Sequence, residues 1–172
     1  QIIEAYKIAQ KKGVKRFGLH TMVVSNELNP EYFVETAQMT FELAKTIREQ
    51  TGIDLEFINL GGGLGIPYKP GQSEVDVERM ARSIQKLHED AIRSKELLPF
   101  KIFLECGRYI TGPHGYLVSR VRHIKDTYKK YVGLDACMAN LMRPAMYGAY
   151  HHITVLGKEN LPKNLIYDVV GS

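Results

Sequence analysis

Three groups of residues with chemical potential each follow an apolar run of the chain. His20 ends the first run, Gly61-Gly62-Gly63 follows the second, and Glu105-Cys106-Gly107-Arg108 follows the third. Consecutive glycines allow backbone N–H groups to converge on a phosphate, because only glycine tolerates such dihedral angles and such close approach. A carboxylate at the end of an apolar strand needs a cation or a hydrogen-bond donor. Together the three groups predict a ligand site.

The spacing of these groups indicates how a fold could bring them together. His20 and Gly61 are 41 residues apart, and Gly63 and Glu105 are 42 apart. Each interval is long enough for a strand, a long helix and two loops, so we expect the groups at one edge of a parallel sheet. Active sites of (β/α) folds collect at that edge, beyond the carboxyl ends of the strands.

Each group also has a purely structural interpretation. The glycines can serve a tight turn, Glu105 can form an ion pair with Arg108, and His20 can be a hydrogen-bonded core residue. A dinucleotide site is not expected. The run Gly61–Ile66 ends in isoleucine where that fingerprint has Gly or Ala, and no helix opens at the loop.

A later segment, Asp135–His151, carries few charges but contains Arg143 and two tyrosines, Tyr147 and Tyr150. Arginine binds carboxylates with two parallel hydrogen bonds, and tyrosine adds a directed hydroxyl. The segment could therefore recognise a carboxylate. In the structural alternative, Arg143 clamps a loop and the nearby methionines serve packing.

Helical periodicity and capping residues locate the elements that would position these groups. The predicted helices cover about residues 2–12, 30–50 and 73–95, and the predicted strands end at His20, cover 54–60 and end at Glu105. Gly13 and Gly52 are expected to end the first two helices, and Asn29 is the expected N-cap of the second. Ser73 with Asp76 resembles a capping box for the third helix.

Beyond residue 115 the pattern changes to short β-branched or aromatic runs without a long helical stripe. The runs, each predicted as a strand, are Tyr116–Val121, Tyr128–Gly133, His151–Leu156 and Leu165–Val170. Gly112-Pro113 interrupts the pattern, so residues 1–113 and 114–172 are predicted to form two domains.

The number of strand-helix repeats constrains the fold class. A closed (β/α)8 barrel takes about 250 residues, whereas three repeats precede the β segment here. An open three-stranded sheet would leave bare edges and half-covered helices. We therefore predict an α/β fold, the second half of a (β/α)8 TIM-type barrel followed by the start of a β-rich domain, in a segment of a longer protein. A compact doubly wound sheet is the alternative.

The composition limits the classes of partner. A 172-residue chain with 24% charged residues and a net charge of +4 is typical of a soluble domain. Its dispersed Lys and Arg favour a solvated face over a nucleic-acid site. Two cysteines without a CxxC pair favour a reducing cytoplasm. No apolar run reaches the roughly 18 residues of a membrane span, so a membrane is not an expected partner. No residue is assigned as a metal ligand.

Taken in order, the motifs resemble those of the diaminopimelate decarboxylases, in the alanine-racemase-like, fold-type III class of pyridoxal-phosphate enzymes. The matching residues are His20, Gly61–Ile66, Glu105–Arg108, Asp135–Met138 and Arg143–His152. The resemblance covers nearly the whole chain. Related decarboxylases of basic amino acids share the first motifs, so Arg-Pro-x-x-Tyr at Arg143–Tyr147 carries the substrate assignment.

The resemblance implies pyridoxal 5'-phosphate as the cofactor. His20 would stack on its pyridine ring, and Glu105 would pair with the ring nitrogen and keep it protonated. Gly62 and Gly63 would hold the phosphate through backbone N–H groups. The protonated ring would then serve as an electron sink.

The resemblance also implies a substrate and a reaction. Gly107 and Arg108 would lie at the phosphate and the substrate, and Arg143 with Tyr147 would take the carboxylate or distal end of meso-diaminopimelate. Loss of CO2 and protonation would give L-lysine, a step of lysine biosynthesis. The enzyme is expected to be a cytoplasmic homodimer with shared active sites.

Some positions depart from the family pattern. Val23 stands where the family has a phosphate-contacting Ser, so that contact would shift to Ser25 or elsewhere. Cys106 and Cys137 replace the usual Pro and Gly, and are expected to be buried thiols rather than nucleophiles. The family's Schiff-base Lys and its Cys-Glu pair have no counterpart in this chain. No catalytic residue is therefore assigned, and the chain alone is expected to be inactive.

Two other functions stay open. The first is a sister decarboxylase that acts on ornithine, arginine or carboxynorspermidine. The second belongs to a different class, a non-catalytic domain that binds phosphate or carries pyridoxal phosphate. Decarboxylation by the full-length protein would exclude the second, and its substrate preference would decide about the first.

Overall fold

The computed structural model describes residues 1–171 and divides them into two compact units. Unit 1 comprises Gln1–Pro67 and Ser73–Pro113, and unit 2 comprises Tyr68–Gln72 and the chain from His114 onward. Each unit contains a three-stranded sheet of its own.

In unit 1, helices alternate with parallel strands. The helices are α1 (Ile2–Lys11), α2 (Glu31–Thr51), α3 (Val77–Arg93) and α4 (Gly107–Thr111), and the strands are β1 (Gly18–His20), β2 (Phe57–Gly62) and β3 (Lys101–Glu105). The strands pair in the order β1-β2-β3, so their carboxyl ends meet at one edge. The predicted α/β arrangement around a parallel sheet is confirmed.

Helix α2 forms where the sequence predicted it because its apolar residues recur every three or four positions. The buried stripe consists of Phe33, Ala37, Phe41, Ala44 and Ile47. At its start the Asn29 Oδ1 accepts the Glu31 N–H at 3.1 Å. At its end Gly52 adopts a left-handed conformation with φ +69°.

Helix α3 begins later than predicted. The side chain of Asp76 caps it by accepting the Arg79 N–H at 2.9 Å, and the helix starts at Val77. The predicted cap at Ser73 is therefore wrong, because the aspartate three residues on supplies the acceptor closer to the first apolar position. No helix within residues 1–171 combines the length and apolarity that a membrane crossing requires.

The core of unit 1 lies between the sheet and the helices. Ile47 of α2 and Ile58 of β2 are its largest fully buried side chains, and Leu60 is also buried. Burial of each such side chain stabilises the fold by about 1.5–3 kcal/mol. Because β2 is the central strand, this packing fixes the position of the strand ends at the carboxyl edge.

The pairing of β2 with β3 contains a shift of register. Asn59 lies opposite Phe103, but Gly62 lies opposite Glu105, so three steps along β2 match two along β3. One additional residue in one strand is the signature of a β-bulge, which bends the strand and redirects the residues after it. The bulge falls where β2 enters the glycine run.

Gly63 is required by backbone geometry, and this requirement can be tested. Gly63 has φ +92° and an added Cβ would lie 2.2 Å from the Val24 carbonyl oxygen, whereas Gly13 has φ +89° with open space around it. We expect Gly63→Ala to lower the free energy of unfolding by about 1–3 kcal/mol more than Gly13→Ala, because only the first adds a steric clash to the shared backbone strain. Urea denaturation of the two variants measures the difference, and equal losses would contradict the prediction.

In unit 2, strand β4 (Val121–Asp126) is antiparallel to β5 (Lys130–Leu134), which is parallel to β6 (Asp168–Gly171). A short helix, α5 (Arg143–Tyr147), lies between β5 and β6 in the chain. The predicted strands Tyr128–Gly133 and Leu165–Val170 overlap β5 and β6.

The other two strands predicted for this unit are wrong. β4 begins at Val121, where the strand predicted at Tyr116–Val121 would end, and His151–Leu156 forms no strand. All residues of β4 are exposed, as are Ile153 and Val155. Without a buried face, the alternation of apolar and polar residues does not mark where a strand runs.

Candidate functional site

His20, the glycine run and Glu105 lie together at the carboxyl edge of the unit 1 sheet, as their spacing predicted. His20 is the last residue of β1, Glu105 is the last of β3, and Gly61 and Gly62 end the central strand β2. The His20 Nε2 lies 3.6 Å from the Glu105 Oε1, and both side chains are about half exposed. An imidazole and a carboxylate are thus side by side on an accessible edge.

Asn59 connects the groups at this edge, and the sequence analysis missed it. Its Nδ2 donates to the Glu105 Oε1 at 2.8 Å, and its Oδ1 accepts the Gly61 N–H at 2.9 Å. The available signal was an amide within the otherwise apolar run Phe57–Leu60, where a polar side chain needs a partner.

Glu105 has no ion pair with Arg108 within residues 1–171, so the structural alternative for this carboxylate is wrong. Arg108 is half-buried in α4, the helix that starts at Gly107 directly beyond the sheet edge. An added Cβ at Gly107 would meet only open space. No packing in unit 1 therefore explains a glycine at this position.

The three consecutive glycines are explained by close backbone approach. Added Cβ atoms at Gly61, Gly62 and Gly63 would each lie 2.2 Å from a carbonyl oxygen, those of Thr21, Glu105 and Val24 respectively. This tightness accounts for the glycines with or without a phosphate. A phosphate contact at this run stays a prediction.

The Gly62 N–H points to a sulfur atom rather than to a carbonyl oxygen. It donates to the Met22 Sδ at 3.1 Å, and Met22 is exposed. A thioether is a weak acceptor, so a phosphate oxygen could replace it at little cost. This N–H is the donor of the glycine run that best suits an anionic ligand.

The segment that contains Val23 and Ser25 runs beside the glycine run. The Glu27 N–H donates to the Gly63 carbonyl, and the Gly65 N–H donates to the Glu27 carbonyl, both at 2.9 Å. Val23 and Ser25 are both exposed. Ser25 therefore remains a candidate for the phosphate contact that Val23 cannot make.

Arg143 belongs to a polar cluster of unit 2. Its Nη1 lies 3.2 Å from the Tyr68 Oη and 2.9 Å from the His151 Nε2, and its guanidinium carbon lies 5.2 Å from the Tyr68 ring centroid. Both hydrogen bonds use the same nitrogen. The sequence carried no signal for Tyr68, whereas His151 ends the segment already singled out for Arg143.

The hydrogen bond between Arg143 and His151 defines the state of the imidazole. Arginine can only donate, so the His151 Nε2 accepts and the ring is neutral. Burial lowers the pKa of His151 below its ordinary value, and the positive charge of Arg143 lowers this pKa further. The contact is therefore fully formed above pH of about 6.5 and is lost as the pH falls through the lowered pKa of the folded state.

Tyr147 lies one helical turn after Arg143 in α5, and its side chain is exposed. Of the three residues predicted for the substrate, Arg143 and Tyr147 thus belong to unit 2, whereas Arg108 belongs to unit 1 together with the residues predicted for the cofactor.

The two cysteines are free and half-buried. Burial raises the pKa of the Cys106 thiol, which disfavours the reactive thiolate. The two thiols predicted to be buried, Cys106 and Cys137, are thus less buried than predicted. Within residues 1–171 no group of three or more His, Cys, Asp or Glu side chains is arranged to hold a metal ion.

Comparison with known proteins identifies the family. The profile of the pyridoxal binding domain of the pyridoxal-dependent decarboxylases matches residues 2–112. The chain belongs to this family. The resemblance found in the motifs is thereby confirmed, and so is pyridoxal phosphate as the family's cofactor.

Two curated relatives are similar over most of this chain, including residues beyond the matched domain. Protein TabA of Pseudomonas amygdali pv. tabaci is 40% identical over 172 residues, which is 100% of this chain and 40% of TabA. The diaminopimelate decarboxylase of Methanothermobacter thermautotrophicus is 41% identical over 152 residues, which is 88% of this chain and 36% of that enzyme.

A solved structure agrees with the fold. The crystal structure of diaminopimelate decarboxylase from M. jannaschii in co-complex with L-lysine matches with a TM-score of 0.80 and 34% identity, over 88% of this chain and 35% of that one. The chain thus spans 35–40% of the length of these three relatives.

The residues at the carboxyl edge fit a pyridoxal phosphate. Within residues 1–171 Glu105 accepts a side-chain hydrogen bond from the neutral amide of Asn59. The negative charge of Glu105 therefore stays available for a protonated ring nitrogen. His20 offers an accessible flat ring beside that carboxylate, and the Gly62 N–H faces only a weak acceptor.

Proposed function

We propose that this chain contributes cofactor-binding and substrate-binding residues to a decarboxylase that converts meso-diaminopimelate to L-lysine and CO2. The observation that carries the proposal is the grouping of His20, Glu105 and the glycine run at one edge of a parallel sheet. Relatives named diaminopimelate decarboxylase, at 34–41% identity, support the substrate. The product places the enzyme in lysine biosynthesis.

The cofactor residues are proposed from unit 1. His20 stacks on the pyridine ring, Glu105 binds the ring nitrogen, and Gly62 with Gly63 donates backbone N–H groups to the phosphate. Gly107 and Arg108 bind near the phosphate and the substrate. When bound, pyridoxal phosphate supplies an electron sink for the electron pair that remains after CO2 leaves. Glu105 maintains that capacity because its negative charge holds a proton at the ring nitrogen.

The substrate residues are proposed from Arg108 and from unit 2. Arg143 holds a carboxylate of the amino acid with its planar guanidinium group, and Tyr147 adds a hydroxyl contact. Both contacts of Arg143 with Tyr68 and His151 use Nη1. They orient the guanidinium group and leave its second terminal nitrogen, Nη2, for a carboxylate of the substrate.

The proposal extends to the architecture and the assembly. The strand-helix repeats of unit 1 form the second half of a (β/α)8 TIM-type barrel, and unit 2 forms the start of a β-rich domain. The enzyme works in the cytoplasm as a homodimer with shared active sites, and the Schiff-base lysine is supplied by residues outside this chain.

The experiment that tests the activity uses the complete protein loaded with pyridoxal phosphate. Release of CO2 and formation of the amine product are measured with meso-diaminopimelate, ornithine, arginine and carboxynorspermidine as separate substrates. We expect lysine to form from diaminopimelate, with kcat/KM at least about 100-fold above that for the other substrates. These substrates have no carboxylate at their distal end, so they would leave the group that binds a distal carboxylate without a partner. Cofactor binding without CO2 release from any substrate would support the non-catalytic alternative instead.

A further inference from the structure

We propose that Asn59 is a positioning residue for Glu105, which it holds in register with the glycine run. The inference rests on the proposed function, since it concerns the carboxylate that binds the ring nitrogen. Asn59 itself touches neither cofactor nor substrate in this assignment. It acts through the two groups to which its side chain is hydrogen-bonded.

Asn59 is linked to all three strand ends of the site. Its side chain binds Glu105 of β3 and the Gly61 N–H of its own strand, and its backbone carbonyl accepts the Thr21 N–H at 3.0 Å. Thr21 directly follows His20. One residue of the central strand therefore connects the positions that carry the imidazole, the glycines and the carboxylate.

The amide is suited to both side-chain contacts. Its Nδ2 donates to a carboxylate while its Oδ1 accepts a backbone N–H, which neither Asp nor Leu could do at once. The amide is also neutral. An arginine or lysine here would offset the negative charge of Glu105, whereas Asn59 fixes the Oε1 and leaves that charge available for the ring nitrogen.

The bulge explains why a side chain is needed at this point. The register between β2 and β3 shifts between Asn59 and Gly62. Ladder hydrogen bonds are interrupted at a bulge, so the backbone there is not held by the sheet alone. The Asn59 side chain spans the shifted stretch, because one end binds Gly61 inside it and the other binds Glu105 across from Gly62.

A double-mutant cycle in the complete enzyme tests this inference. Asn59→Leu, Glu105→Gln and the double variant are compared with the wild type for kcat and for the dissociation constant of pyridoxal phosphate. We expect Asn59→Leu to lower kcat about ten- to a hundredfold, since a hydrogen bond to a charged group is lost. On the Glu105→Gln background the same substitution should lower kcat less than about threefold, because the group on which Asn59 acts is already neutral.

Two further variants separate positioning from folding. Asn29→Leu removes a surface amide whose side-chain contact within residues 1–171 is with the Glu31 N–H at the start of α2, and we expect kcat to stay within about twofold. Asn59→Asp keeps an acceptor for Gly61 but loses the donor to Glu105. It replaces Asn59→Leu in the cycle if the leucine variant does not fold.

The outcomes distinguish the inference from the proposed function. Equal effects of the Asn59 substitution on both backgrounds, or no effect on either, would overturn the positioning role, even if the wild type decarboxylates diaminopimelate and the proposed function is correct. If the wild type binds pyridoxal phosphate but does not decarboxylate, the proposed function is wrong. The dissociation constants of pyridoxal phosphate for the four proteins then decide about the positioning role. Absence of cofactor binding by the wild type would overturn both.

Discussion

Glu105→Gln in the complete enzyme is expected to lower kcat by about 10²–10³-fold while KM changes far less. Glutamine keeps the size of the side chain and an oxygen that can accept the hydrogen bond from Asn59. It removes the negative charge, so the ring nitrogen can lose its proton and the electron sink is weakened. The loss appears mainly in the chemical step, because substrate binding does not depend on that charge.

Glu56→Gln is the matched control for this prediction. Glu56 lies next to the start of β2 and pairs with the exposed Arg16 at 2.9 Å. Exposed ion pairs contribute about 0–1 kcal/mol, so we expect kcat to stay within about twofold. Steady-state kinetics with a measurement of cofactor content distinguish the two variants. A Glu105→Gln enzyme with unchanged kcat would assign Glu105 a structural role only.

Arg143→Lys is expected to raise KM for diaminopimelate and to lower kcat/KM about ten- to a hundredfold, while cofactor content stays unchanged. Lysine keeps the positive charge but loses the planar fork, and a lost hydrogen bond to a charged group is worth about 1.5–3 kcal/mol. Lysine can still donate one bond to Tyr68 or His151, so the cluster keeps part of its structure.

Arg122→Lys provides the control in the same unit, because Arg122 is exposed on β4. We expect its kinetics to match the wild type. Cofactor content is measured by absorbance alongside the kinetics on diaminopimelate. Loss of cofactor together with activity in Arg143→Lys would show that Arg143 supports the fold or the phosphate, and the substrate assignment would lose its strongest residue.

The elements of unit 1 could be predicted because burial leaves a clear mark on its sequence. The stripe on α2 and the apolar β2 face one core, so periodicity and end signals such as Gly52 agree with the structure. His20 and Glu105 could be placed at one edge by spacing alone. Asn59 could not be assigned a role in advance, because its partners depend on a register shift that no local pattern predicts.

Unit 2 was harder to predict, for a physical reason. The residues of β4 are all exposed, and α5 has five residues, too few for a helical period to appear. The cluster around Arg143 joins Tyr68 to Arg143 itself, 75 positions later in the chain. Such a long-range contact leaves no trace in either local segment.

The extra residue in β2 also determines which changes of chain length the site can tolerate. Three steps on β2 face two on β3 between Asn59 and Gly62. Deletion of a single residue there would restore a regular ladder, but it would turn every later side chain of the strand to the opposite face of the sheet and every later N–H group toward the opposite neighbouring strand. The number of residues from Asn59 to Gly62, as much as their types, therefore determines which groups of β2 face the site.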